Sequence, residues 1–281
     1  MKNIVVGIDF SHNSVNAMKH AVAVTIRLKA QLHLIWVKTP GVSEVVKKNK
    51  SKYSKVVEEK LEELLVDARR EAPACQIQSV ILEGKPAVEI CKYANNLKEP
   101  IIFVGVRGIS GFEEKYIGSN TSRILAMTTC PVIVIKEDTH IGRDLTQLLV
   151  PIDTSFETLQ KMKYAIRFAK GFIAKLLLLG AYTSNSREEK HTINIQLNHA
   201  EKMCEKANIR FATKTVMLKE NLCKELVDYA ETADVNLMVI MREEEGDLSD
   251  FWIGNTTRRI LSMCAVPLLI IPNVNHFNIS K

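Results

Sequence analysis

Apolar residues fall into short continuous runs that alternate with longer amphipathic stretches. Asn3 to Ile8 is nearly all apolar and is cut off by Asp9. Such a run predicts a strand buried on both faces, as in a parallel sheet. Ser11, His12 and Asn13 supply cap-type residues, and Val15, Met18, Ala21, Val22 and Ile26 form one stripe of a helix reaching about Lys29. Gln31 to Val37 predicts the second strand, broken by Thr39, Pro40 and Gly41. A long helix from about Tyr53 to Ala72 carries Val57, Leu61, Leu64, Leu65 and Ala68 on one face, and Pro73 closes it. Strand three is Ile77 to Leu82. Gly84-Lys85-Pro86 then turns into a helix bearing Val88, Ile90, Cys91 and Ala94. Strand four is Ile101 to Val104, and strand five, Val132 to Ile135, follows a helix ending near Met127. The order βαβαβαβαβ predicts an α/β fold, a parallel sheet with helices on both faces.

The pattern then repeats. Leu148-Leu149-Val150-Pro151-Ile152-Asp153 restates Ile4-Val5-Val6-Gly7-Ile8-Asp9 at an offset of 144 positions. Val216-Met217-Leu218 aligns with Val80-Ile81-Leu82 at an offset of 136, and Ile253 to Leu261 aligns with Ile117 to Leu125 at the same offset. A single shortening near the start of the long helix accounts for the change. The chain is thus an internal duplication, with domains expected at 1–138 and 145–281 and a polar hinge within Glu137 to Asp144.

The candidate chemistry gathers where the first copy's strands end. In an open parallel sheet, ligands bind outside the carboxyl ends of the strands. Asp9 and Phe10 follow strand one, Val37 and Lys38 end strand two, and Val104 leads into a loop with Gly105, Arg107, Gly108 and Gly111. Gly118, Ser119 and Asn120 then open the next helix. Glycines let the backbone approach a ligand closely. N–H groups at a helix start have no intrahelical acceptor, and the helix dipole favours an anion there. The stretch therefore reads as a phosphate cradle. Arg107 is either a supplementary phosphate contact or a solvated loop cation, and Glu113 and Glu114 read as solvent-facing loop acids. No catalytic residue is assigned, because no Walker-type lysine motif and no Ser-His-Asp or Cys-His spacing is present.

The second copy departs at these positions. Met241, Glu244 and Asp247 replace Gly105, Gly108 and Gly111, and Asn255 replaces Ser119. Glu243, Glu245 and Asp250 add negative charge where a phosphate would lie, so this half is not expected to bind the same ligand. Gly105, Gly108 and Ser119, lost from the second copy, are assigned to ligand rather than to architecture.

Composition narrows the class. The chain of 281 residues is 46% hydrophobic and 25% charged, as in a globular protein, and its net charge of +6 is spread along the chain rather than gathered for nucleic acid. No apolar run approaches the roughly 20 residues that span a bilayer, and Lys2 with the short run Ile4 to Ile8 does not read as a signal peptide. A cytoplasmic protein without a membrane partner is expected. The six cysteines (Cys75, Cys91, Cys130, Cys204, Cys223 and Cys264) form no metal-ligand spacing and read as free, mostly buried thiols, and no metal site is assigned.

The motif G-x2-G-x9-G-S at Gly105, Gly108, Gly118 and Ser119, with the terminal strand Cys130-Pro131-Val132-Ile133-Val134-Ile135, resembles the universal stress protein family. Nearly the whole chain is similar to a tandem member with two UspA-type domains. The resemblance implies two Rossmann-like (adenine nucleotide alpha hydrolase-like) domains, each with a five-stranded sheet. It implies ATP, with or without Mg²⁺, in the first domain. Asp9 would meet the adenosine end, Val37 would line the adenine slot, and Gly105, Gly108, Gly118, Ser119 and Asn120 would hold ribose and phosphates. Arg107 stands where the family often has His. The expected function is a nucleotide-responsive stress-response module acting on an unknown protein partner. The alternatives are a slow ATP-hydrolysing enzyme and a nucleotide-free interaction module. The last strands are expected to be apolar edges that pair the two halves as an intrachain pseudo-dimer and leave a homodimer open.

Overall fold

The computed structural model describes residues 1–39, 50–106, 117–136, 145–218, 221–243 and 254–273. They divide into two compact units, Met1–Glu137 and Asp138–Lys281. The expected hinge, Glu137 to Asp144, lies outside the described residues. The first unit runs β1 (Asn3–Ile8), α1 (His12–Leu28), β2 (Gln31–Lys38), α2 (Lys50–Glu71), β3 (Ile77–Glu83), α3 (Pro86–Asn95), β4 (Pro100–Gly105), α4 (Ser119–Met127) and β5 (Val132–Ile135). Strand β1 lies between β2 and β4, with β3 beyond β2 and β5 beyond β4, all parallel. Ile4, Val5, Val6, Ile101, Ile102 and Phe103 are wholly buried, which is why these runs lack the alternation of a one-sided sheet.

Local chemistry sets the helix ends. Ser11 caps α1 through its side chain, and Lys29, in the left-handed region, closes it by donating to Ile26 O and Thr25 O. Pro86 occupies the first turn of α3, where its missing N–H leaves no bond unmade. The second unit repeats the plan with β6 (Gln147–Ile152), α5 (Met162–Phe172), β7 (Lys175–Tyr182), α6 (Arg187–Lys206), β8 (Phe211–Met217), α7 (Leu222–Thr232), β9 (Leu237–Met241), α8 (Asn255–Met263) and β10 (Leu268–Ile271). Its pairings are again parallel, in the order β8-β7-β6-β9-β10. Among the described residues no helix is long and apolar enough to cross a membrane. All six cysteines are free, and all but Cys75 are buried.

Two local differences separate the copies. Where α1 starts at His12, after Asp9 and a two-residue turn, the second unit first makes a 3-10 turn, Phe156–Leu159, before α5. The third strand is also shifted relative to the sequence alignment. Lys38 pairs with Glu83 and its counterpart Tyr182 pairs with Met217, so β8 stands 134 positions after β3, and α7 then stands 136 after α3. The expected match of Val216-Met217-Leu218 to Val80-Ile81-Leu82 is therefore displaced by two residues. Side chains alternate faces with period two, so a slip of two preserves the apolar pattern and leaves no trace in it.

This register decides a buried polar network. In the first unit His33 is 2% exposed. Its Nε2 meets Asn3 Oδ1 at 2.9 Å, and the Asn3 amide is oriented by donating to Lys98 O at 2.7 Å. That makes Nε2 the protonated nitrogen and leaves Nδ1 to accept from the Tyr93 hydroxyl (2.9 Å) and Gln78 Nε2 (2.8 Å). Burial lowers the His33 pKa from 6.5. A depressed histidine contributes stability that is complete above the unfolded value and is lost as pH falls below it. In the second unit the tyrosine persists as Tyr229, but Leu177 and Ala212 take the places of His33 and Gln78. The Tyr229 hydroxyl is buried with no hydrogen-bond partner. Tyr93→Phe is therefore expected to lower stability by about 1 kcal/mol. Tyr229→Phe is expected to leave it unchanged or raise it, as read from urea unfolding midpoints of the two variants.

Candidate functional site

The candidate site residues of the first unit fall at the carboxyl ends of β1, β2 and β4, where strand order reverses about β1. Asp9 opens a tight turn: Ser11 N donates to Asp9 Oδ1 at 2.9 Å, and Ser14 N donates to Ser11 Oγ at 3.2 Å. Asp9 N reaches Ser14 Oγ at 3.3 Å. These bonds hold Phe10 at φ 63°, a left-handed conformation that a bulky residue rarely adopts and that persists only when its surroundings enforce it. Lys60, on α2, places its ammonium 5.8 Å from the centre of the Phe10 ring. Val37 follows Trp36, the β2 partner of Ile8, and is 8% exposed; Val104 on β4 is 5% exposed.

The junction from β4 to α4 is bonded at both ends. Gly118 N donates to Val106 O at 2.7 Å, and the buried Thr121 hydroxyl donates to Gly105 O, also at 2.7 Å. The start of α4 is thereby fixed beside the end of β4. Gly118 is the N-cap, with no side-chain cap bond and no acidic residue in the first turn, and Ser119 and Asn120 are exposed at the helix start. Thus Asp9, Phe10, Val37, Val104, Gly105, Gly118, Ser119 and Asn120 all stand at one edge of the sheet. Arg107, Gly108 and Gly111, with Glu113 and Glu114, lie outside the described residues. Among the described residues no group of three His, Cys, Asp or Glu side chains is placed to hold a metal ion.

Gly105 differs from expectation. A Cβ there would lie 2.8 Å from Asn13 Cβ and 2.9 Å from Asn13 C and O. Glycine at 105 is therefore demanded by the first turn of α1, whatever the loop binds. The second unit has Met241 at this position, and there a 3-10 turn, Phe156–Leu159, precedes α5. Thr121 was not singled out in the sequence, although a threonine recurs in register: Thr257 Oγ1 accepts from Glu243 N at 3.3 Å.

The universal stress protein family model matches residues 1–136 and again 145–272. The chain belongs to the universal stress protein family. A universal stress protein of Methanocaldococcus jannaschii is 31% identical over 140 residues, covering 48% of this chain and 82% of that protein. YxiE of Bacillus subtilis is 36% identical over 61 residues, 22% of this chain and 41% of its own length. Among solved structures, a universal stress protein of Archaeoglobus fulgidus superposes over 97% of both chains with a TM-score of 0.74 at 18% identity, a likeness of fold.

The second unit of this universal stress protein carries one group that its first unit lacks. Lys161 is 2% exposed, where the first copy has Ala17. Among the described residues the one hydrogen bond of its ammonium is to Thr158 Oγ1, at 3.0 Å. Burial pushes the Lys161 pKa down to about 8, against the opposing pull of Asp153. A lowered lysine pKa means that the unfolded chain binds the proton more tightly. Stability is thus reduced throughout the range below about pH 8 and recovers as pH rises toward 10.5. The depression corresponds to roughly 3 kcal/mol. Lys161→Met is expected to raise stability at neutral pH by roughly 1–3 kcal/mol and to flatten the alkaline rise, as read by urea unfolding across that range. Gly105→Ala is expected to lower stability by about 1–3 kcal/mol in the ligand-free protein. A ligand-only role for Gly105 would leave that measurement unchanged.

Proposed function

We propose that the first unit binds ATP at the carboxyl ends of β1, β2 and β4, and that the protein acts in the cytoplasm as a nucleotide-responsive stress-response module. The observation that carries this reading is the start of α4. It is capped by a glycine, bears no acid in its first turn, and is tied to β4 by the Thr121 and Gly118 bonds. Among the described residues nothing accepts from the backbone N–H groups of Ser119 and Asn120. Such a helix start is preorganised for an anion, because its N–H groups and dipole already point outward and need no rearrangement. Asp9 uses Oδ1 to hold its own turn, and Oδ2 is the oxygen assigned to the adenosine hydroxyls. Val37 and Val104 supply the apolar wall for the base. Arg107, Gly108 and Gly111 are assigned to the loop over the phosphates, and Mg²⁺ would be held by the phosphates rather than by a protein cluster.

Binding is the proposed activity, with occupancy of the first unit read by a protein partner. ATP at 100 times its Kd is expected to stabilise the chain by about 2.7 kcal/mol, seen as a rise in melting temperature. Gly118→Asp, which places a carboxylate at the phosphate position, is expected to abolish that rise. A rise that survives the substitution would put the nucleotide elsewhere. Turnover of ATP with Mg²⁺ at ordinary enzyme rates, about 1–10³ s⁻¹, would replace the binding reading with a catalytic one.

A further inference from the structure

We propose that the Glu243 carboxylate is a built-in substitute for a ligand phosphate: it sits on the N-terminus of α8, so that the second unit is occupied by its own chain. The comparison rests on the reading of the first unit as a nucleotide site. Glu243 Oε2 accepts from Thr256 N at 2.8 Å. Thr256 is the second residue of α8, and its N–H is one of those that a helix leaves without an internal acceptor. The contact is held from both sides. Glu243 N donates to Thr257 Oγ1 at 3.3 Å, tying the backbone of Glu243 to the same helical turn. Gly254 makes room for the side chain, since a Cβ there would lie 2.6 Å from Glu243 Cβ and 2.8 Å from Cγ.

The first copy is the internal control. The residues that correspond to Glu243, Gly254, Thr256 and Thr257 are Arg107, Gly118, Asn120 and Thr121. The helix start, its glycine and its threonine are retained, while the residue at position 107 or 243 reverses its charge. A carboxylate on a helix-start N–H makes the interaction that a phosphate oxygen would make, a charge-assisted hydrogen bond reinforced by the helix dipole. Being part of the chain, it meets that N–H without the loss of translational freedom that binding a free anion costs. The same helix start is thus filled internally in one unit and open to an external anion in the other. Glu243 confines the nucleotide response to the first unit.

Hydrogen–deuterium exchange on the full chain tests this, with α4 and α8 read separately in the wild type, Glu243→Ala and Glu243→Gln. In Glu243→Ala, exchange at the start of α8 should quicken about fivefold, the effect of losing an ordinary N-terminal cap. Millimolar sulfate should restore protection in that variant and change nothing at α8 in the wild type. Glu243→Gln keeps an acceptor oxygen but no charge, so it should show a smaller rise that sulfate again reverses. It carries the test if the alanine variant does not fold. Unaltered α8 exchange in both variants, or sulfate protection equal in wild type and variants, overturns the proposal. ATP protection of α4 in the same samples reports on the first unit independently. Its absence would remove the nucleotide reading while leaving the α8 result intact.

Discussion

The site depends on one junction, the bond from the Thr121 hydroxyl to the carbonyl of Gly105. A loop leaving the end of a strand has no inherent reason to deliver the next helix back to that strand. The threonine does so from inside the helix, where its hydroxyl is buried and must find an acceptor. Gly118 N on Val106 O fixes the other end of the same turn. With both bonds made, the start of α4 is held beside the end of β4. Thr257 occupies the same register in the second unit, turned to accept from Glu243 N. The junction therefore persists where the glycines of the loop do not.

The duplication makes each unit a control for the other. A residue changed in a single copy shows what that copy has gained or given up. Tyr229 keeps its ring in the apolar layer but has lost the partners that Tyr93 finds in His33, which accepts from its hydroxyl, and Gln78, which donates to it. Lys161 places a charge where Ala17 fills the core, and burial depresses its pKa. Met241 takes the place of a glycine that the first unit cannot spare beside Asn13. The second unit has drifted within a conserved frame, and the drift gathers at the ligand edge and under its helices.

Some of the site could be read in the sequence. Asp9, Gly118 and Ser119 stand where a strand end or a helix start was expected, because turn and cap residues act locally. The helix-breaking and cap signals placed most element ends within one or two residues. The tertiary roles of Thr121, Asn13 and Lys60 were not legible in the sequence, for a common reason. Their importance comes from partners distant in the chain, namely Gly105 for the first two and Phe10 for the third. Gly105 was read as a ligand residue because its replacement by Met241 hid the packing demand, which comes from Asn13 in the first turn of α1.

By itself the sequence determined the fold class and the duplication. Those follow from period, order and turn chemistry, which are properties of neighbouring residues. Tertiary structure alone decided the register of β8, displaced by two from the sequence match. A two-residue slip returns every side chain to the same face, so hydrophobic pattern cannot distinguish the alternatives, and only the hydrogen-bonded neighbour strand can. It also decided which charge meets which helix. Among the acids of the second loop, the sequence could count negative charges. Only the folded chain shows that Glu243 accepts from the N–H of Thr256.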